Sequence, residues 1–176
     1  MTVGFHTLEH LALPSVSDVA LADVLHRGRS ELSSTVGQDL GLFAYPYART
    51  REVLDVQRRS GEPHPSHGFK MRFINPVTGG HPMPTIAAFM QLLPSGFHGA
   101  RYRATDATVY AAVEGTGVTM VGETRYEWGP RDVFVVPSWM PVSHQAQAEA
   151  VLFSMSDRAA QQALGLWREE GDGVRS

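Results

Sequence analysis

Apolar and polar positions divide the chain into two unlike parts. From Phe69 onward, short apolar runs of strand length alternate with strong turn signals. The runs cover residues 69–74, 85–93, 100–104, 107–113, 118–121, 125–128, 133–136, 141–147 and 151–155. Between them fall Asn75-Pro76, Gly79-Gly80, Pro94-Ser95-Gly96, Gly115-Thr116-Gly117, Gly122-Glu123 and Gly129-Pro130, residues that supply turn backbone angles. That many short strands at such close spacing predict a sandwich or a closed barrel.

Residues 1–68 read instead as a helical arm. Ser17-Asp18 can cap a helix reaching about His26, with Val19, Leu21, Val24 and Leu25 apolar. A second helix fits residues 49–59, with Val53, Leu54 and Val56 as its apolar side and Gly61-Glu62-Pro63 ending it. Past the last strand, Ser156 or Asp157 caps a short helix rich in alanine (Ala159, Ala160, Ala163) that Gly165 stops. The expected organisation is an arm (1–68), an all-β unit (69–156) and a C-terminal helix and tail (157–176), together one structural domain.

Composition narrows the chemistry. The 176 residues suffice for one domain with a real core. Fifteen basic residues face eighteen acidic ones with no basic run, which excludes phosphate-backbone recognition and hence nucleic acid as a partner. With no cysteine, disulfides, thiolate nucleophiles and thiolate metal sites are excluded, leaving eight histidines as candidate ligands or acid–base groups. No apolar stretch is long enough to span a bilayer, and the opening MTVGFHTLEH lacks a cationic segment followed by an apolar run. A cytoplasmic location is therefore expected, with no membrane partner.

Three sets of residues carry a family resemblance: Tyr45-Pro46-Tyr47-Ala48-Arg49-Thr50-Arg51-Glu52; Asn75-Pro76-Val77-Thr78-Gly79-Gly80 with Met83-Pro84-Thr85; and 132–139 (DVFVVPSW) with Leu152-Phe153-Ser154 and Ser156-Asp157-Arg158. In this order they resemble the second half of the gentisate 1,2-dioxygenase and 1-hydroxy-2-naphthoate dioxygenase family, from about Tyr45 to Glu170. The resemblance implies a cupin fold, a double-stranded β-helix or jelly-roll barrel. Members are bicupins that open an aromatic ring with Fe(II) and O₂, their iron held by histidines of the N-terminal barrel. This chain corresponds to the other barrel.

Cupin barrels hold a metal through two motifs, and both can be laid onto this chain. Counted from Gly96, the two histidine slots fall on Tyr102 and Ala104, the glutamate slot on Thr108, and the frame closes at Gly115. Anchored on Pro137, the second motif's glycine, glycine, histidine and asparagine slots fall on Arg131, Trp139, Val142 and Ala146. A phenol, a methyl, a hydroxyl and an isopropyl group do not replace three imidazoles and a carboxylate around Fe(II) or Zn(II). No metal ligand and no cofactor are assigned. A displaced set of His98, Asp106 and His144 shares strand parity with the lost slots, but a turn between Gly96 and Gly99 would break that alternation.

Parity also turns Tyr102, Ala104, Thr108, Tyr110, Ala112, Val142 and His144 toward the barrel interior. Two tyrosines, a threonine and a histidine there need polar partners, and Ala104 and Val142 free volume. We therefore expect a pocket for a small organic molecule lined by Ala104, Thr108, Tyr110, Val142 and Gln91, with His144 and Tyr102 as catalytic proton carriers. His64-Pro65-Ser66-His67 reads as a connecting loop, and Trp128, Phe134 and Trp139 as core or interface aromatics. The leading functional expectation is a metal-independent cyclase, isomerase or dehydratase acting on an aromatic or polyketide-like molecule. The alternatives are an Fe(II)-dependent gentisate-type ring-cleaving dioxygenase or its subunit, and a non-catalytic assembly module. A homodimer through the barrel sheets and the arm is the expected assembly.

Overall fold

The computed structural model describes residues 47–75 and 78–171. The helix expected between Ser17 and His26 lies outside the described residues. Helix α1 spans Tyr47–Ser60 and is followed by β1 (Phe69–Arg72), β2 (Ala87–Leu93), β3 (Phe97–His98), β4 (Tyr102–Ala104) and β5 (Thr108–Glu114). Then come β6 (Gly117–Val121), β7 (Thr124–Trp128), β8 (Val133–Val136), β9 (Val142–Ala146), β10 (Ala150–Ser156), helix α2 (Arg158–Ala163) and β11 (Glu169–Gly171).

The strands form two antiparallel sheets, ordered β1-β2-β10-β5-β8 and β11-β4-β9-β6-β7, with β3 added to β9. Their facing sides share one core that includes Leu93, Tyr102, Tyr110, Trp128, Phe134 and Leu152. Strands β8 and β9 alternate buried and less buried residues, the period of two that one-sided burial imposes. Strand β2 breaks that rule and is buried throughout, because α1 covers its outer face. Leu54 of α1 is fully buried there with Phe69, Met90, Leu92 and Val151, a placement that contributes about 1.5–3 kcal/mol. Val53 and Val56, expected on the same apolar side, are exposed instead. The helix lies against the sheet along one line of contact, and Arg51 and Arg58, both paired with Glu149, hold it at that angle.

Two glycines are demanded by close packing. At Gly115, with φ of 74°, an added Cβ would sit 2.4 Å from the Glu149 carbonyl oxygen. At Gly117 it would fall 2.4 Å from the Trp128 ring, so this glycine is the seat of that indole. Two non-glycine residues also take left-handed backbone: Arg131 (φ 80°) and Trp139 (φ 60°). These are the two glycine slots of the second cupin motif. Backbone bonds hold both in place, Arg131 N–H donating to the Ala112 carbonyl at 2.8 Å and Trp139 N–H to the Ala104 carbonyl at 2.7 Å.

Candidate functional site

The barrel interior brings Tyr102, Tyr110 and His144 together, as strand parity requires. Tyr102 comes from β4, Tyr110 from β5 and His144 from β9, and all three are buried. The two phenols share a hydrogen bond of 2.9 Å. The His144 ring stands edge-on to Tyr110, 4.9 Å between centroids, and His67 stands edge-on to Tyr102 at 4.3 Å.

A second chain of bonds fixes the state of His144. The Trp128 indole N–H donates to Thr119 Oγ1 at 2.9 Å, and Thr119 Oγ1 lies 2.8 Å from His144 Nδ1. With one lone pair taken by the indole, the hydroxyl is best satisfied by donating its own proton to Nδ1. His144 then carries its proton on Nε2, which has no partner among the described residues. Burial, with a smaller contribution from the charge of Lys70, lowers its pKa to about 3. Burial likewise pushes Tyr110 up to about 12 and Tyr102 well above the ordinary phenol range, the latter further raised by Tyr110. Near neutral pH these groups are locked as a neutral imidazole and two neutral phenols, so none is tuned for proton transfer.

The expected pocket closes up. Tyr102, Ala104, Thr108, Tyr110, Val136 and Val142 line a cavity of ≈ 10 Å³, about the space of one water. Tyr110 stacks on Phe134 at 5.2 Å, and Phe134 lies parallel to Trp128 at 6.4 Å. These rings pack the interior beside His144, while Tyr102, Tyr110, Val136 and Met140 close in around Ala104 and Val142. Gln91 is fully buried on β2, and neither atom of its amide has a partner among the described residues.

The displaced set does not converge. A short strand, β3, occupies the expected turn, and His98 is exposed on it opposite Gln145. Asp106 is bound elsewhere, accepting from Arg158 Nε at 3.3 Å and Trp167 Nε1 at 2.9 Å. Burial favours its neutral form, yet Arg158 and hydrogen bonds from Ser156 and Trp167 bring the carboxyl below its usual pKa. Among the described residues no cluster of three or more His, Asp or Glu is placed to hold a metal ion. The motif slots themselves offer one buried neutral phenol, a methyl, a hydroxyl and an isopropyl group, and this donor set does not fit Fe(II).

The sequence reading missed a site on the outside. A groove of ≈ 600 Å³ runs between the end of α1, the loop at His64 and His67, β1, and the C-terminal segment at Trp167. Lys70, Phe89 and Arg158 line both this groove and the small cavity at the barrel's end. The pairing of His64 and His67 was visible as a loop motif; the arrival of Arg158 and Trp167 from the far end of the chain was not. Arg103, by contrast, faces outward, pairing with Glu170 and lying 4.6 Å over the exposed Trp139 ring. No helix among the described residues is long and apolar enough to cross a membrane.

Two facing antiparallel sheets with helices on the flanks give this chain a cupin fold. No family model matches it. It is 53% identical over 128 residues to gentisate 1,2 dioxygenase 1 of Aquipseudomonas alcaligenes, covering 73% of this chain and 37% of that protein. A 5-aminosalicylate 1,2-dioxygenase of Comamonas sp is 39% identical over 131 residues, again 73% of this chain and 35% of the relative. Salicylate 1,2-dioxygenase from Pseudaminobacter salicylatoxidans superposes with a TM-score of 0.68 at 31% identity, over 74% of this chain and 39% of that one. The chain therefore resembles the C-terminal cupin half of the gentisate 1,2-dioxygenases, and it spans little more than a third of the length of the curated relatives it matches. These relatives overturn the leading expectation. They are dioxygenases, and neither they nor the closed interior support a metal-independent cyclase, isomerase or dehydratase.

Proposed function

We propose that this cupin is one part of a gentisate-type ring-cleaving dioxygenase and serves as its supporting barrel. The iron chemistry then belongs to a metal-bearing barrel beyond the matched segment, joined in the same polypeptide or supplied by a partner chain. The observation that carries this reading is the combination of 53% identity to a gentisate dioxygenase with ligand slots filled by Tyr102, Ala104, Thr108 and Val142. On this reading the metal site is degenerate and the interior has become a core. An apolar row on the outer face of the five-stranded sheet also favours an assembly role. Met155 of β10, Val109 of β5 and Val135 of β8 are exposed and lie directly opposite one another, a row suited to packing a second copy of the chain.

The test is iron content and oxygen uptake with gentisate. The chain alone is expected to retain far less than one iron and to consume no oxygen. Co-expressed with the remaining, N-terminal part of the Aquipseudomonas relative, it is expected to yield gentisate-dependent uptake. Stoichiometric iron and turnover by this chain alone would overturn the supporting role.

A further inference from the structure

Lys70 is the only lysine among the chain's fifteen basic residues; every other one is an arginine. It stands on β1 where the outer groove meets the barrel's end, and it lines both. Its Nζ lies 4.7 Å over the Phe89 ring, and Arg158 lies 5.1 Å over the same ring. Asp106 and Glu169 attract both cations, but their direct contacts go to Arg158, at 3.3 Å and 3.6 Å. Lys70 is thus half-buried beside a second cation, and among the described residues no hydrogen bond or ion pair holds its ammonium protons. Burial, and next the charge of Arg158, lower its pKa to about 8 against the pull of Asp106 and Glu169. A lysine so placed gives up its proton and becomes a nucleophile, whereas an arginine there would stay charged. On the loop before β1, His67 is only 8% exposed and lines the same groove. Its Nδ1 has no partner among the described residues. Burial first, and then the charge of Lys70, lower the pKa of His67, so the two groups act on each other.

We propose that Lys70 is a reactive amine that condenses reversibly with small uncharged aldehydes entering the outer groove. The free-base Nζ gives its lone pair to the carbonyl carbon, and a proton passes from nitrogen to oxygen to make a carbinolamine. The nitrogen lone pair then expels the hydroxyl, which leaves with one proton as water, and a C=N bond remains. Nothing is oxidised or reduced. His67 Nδ1, buried at the same groove, supplies a hydrogen-bonding partner for the departing hydroxyl. The protonated imine keeps its charge on nitrogen, where the face of Phe89 stabilises it as it does the ammonium. An uncharged aldehyde suits a groove whose carboxylates already answer its cations, and Phe89 and Trp167 offer apolar walls to the alkyl end. The space of ≈ 600 Å³ is ample for such a molecule. The proposal requires neither iron nor a second barrel, so it stands or falls separately from the dioxygenase reading.

Butanal and ethanal are the probes, added to the full chain near neutral pH with cyanoborohydride to reduce any imine to a stable secondary amine. Trypsin does not cut at an alkylated lysine, so modification joins residues 60–70 to residues 71–72 in one peptide that mass spectrometry quantifies. The same chain unfolded in guanidinium chloride gives the rate for an ordinary lysine, and its α-amino group serves as internal reference. A pKa lowered to about 8 gives roughly a hundredfold more free amine near neutral pH than an unperturbed lysine has. Lower intrinsic nucleophilicity and the enclosing walls offset part of that. Lys70 is therefore expected to be modified at least about tenfold faster in the folded chain than in the unfolded one. Its rate should saturate with butanal, and its ratio to the α-amino group should be higher for butanal than for ethanal, because the longer chain reaches the ring walls. None of these readouts depends on a variant folding. The proposal is overturned by a folded-to-unfolded ratio below about tenfold, by a rate that does not saturate, or by equal ratios for the two aldehydes.

Discussion

The inside of the barrel and the groove outside it leave very different amounts of space around their polar groups. Inside, phenol meets phenol and indole, hydroxyl and imidazole form a chain, while aromatic rings close the space to ≈ 10 Å³. Outside, a space of ≈ 600 Å³ is bordered by a half-buried lysine with no ion pair, and by a histidine whose Nδ1 has no partner, among the described residues. Polar side chains in a barrel are thus not a pocket by themselves. What distinguishes this core from the groove is room, because the interior keeps orphaned atoms of its own, His144 Nε2 and the Gln91 amide, with almost no space beside them.

The most severe way to break the comparison is to open the core. Trp128→Ala removes the largest ring and the donor to Thr119, and it should destabilise the fold by about 3–5 kcal/mol. Urea unfolding measures this; a loss below about 1 kcal/mol would mean that the interior is a loose pocket after all.

Acid should separate the regions next. His144 is neutral when folded, with its pKa lowered to about 3, while in the unfolded chain it titrates near ~6.5. The unfolded state therefore binds the extra proton first. The stability this histidine contributes is present above the unfolded value and is lost as pH falls through the window from ~6.5 toward 3, by up to about 1.4 kcal/mol per pH unit. Buried His67 acts in the same direction. His144→Phe should flatten the decline measured between neutral pH and mild acid; an unchanged slope would remove His144 from the account.

In the groove the sign reverses for a substitution that would ordinarily do harm. Lys70→Met removes a half-buried cation that forms no ion pair among the described residues and whose pKa burial lowers to about 8, so it should raise stability by about 1 kcal/mol, seen as a higher melting temperature. A fall would mean that the attraction of Asp106 and Glu169 outweighs the burial. The smallest expected effect is at the exposed Arg131. Glycine relieves about 1–2 kcal/mol of left-handed strain but adds unfolded-chain entropy, so Arg131→Gly should gain about 0.5 kcal/mol in urea unfolding.

Local patterns were enough to read much of the fold. The run at 133–136 coincides with β8, and apart from β3, which occupies an expected turn, and β11, the other strands differ from the expected runs by a few residues at their ends. The slot registers found Tyr102, Tyr110 and His144 as neighbours. Strand β11 was invisible, because Glu169-Glu170-Gly171 has no strand propensity. It forms because it pairs with β4, where Gly171 lies so close to Tyr102 that an added Cβ would sit 2.7 Å from the tyrosine's Cβ. The cavity was misjudged for a related reason. Counting small residues at two slots reveals the volume released, but not that Tyr102, Tyr110, Val136 and Met140 close in around it to leave ≈ 10 Å³. The outer groove joins Lys70 to Arg158 and Trp167, residues far apart in sequence that no local period connects.

The left-handed residues at 131 and 139 have a consequence for descent and for design. The chain turns where the motif's glycines would turn it, although an arginine and a tryptophan now occupy those corners. The main chain takes the motif's turns without the motif's residues. An engineer who restores ligands by Tyr102→His, Ala104→His, Thr108→Glu and Val142→His therefore starts from a scaffold already bent to the required course, and the labour lies in clearing aromatic rings rather than in rebuilding loops.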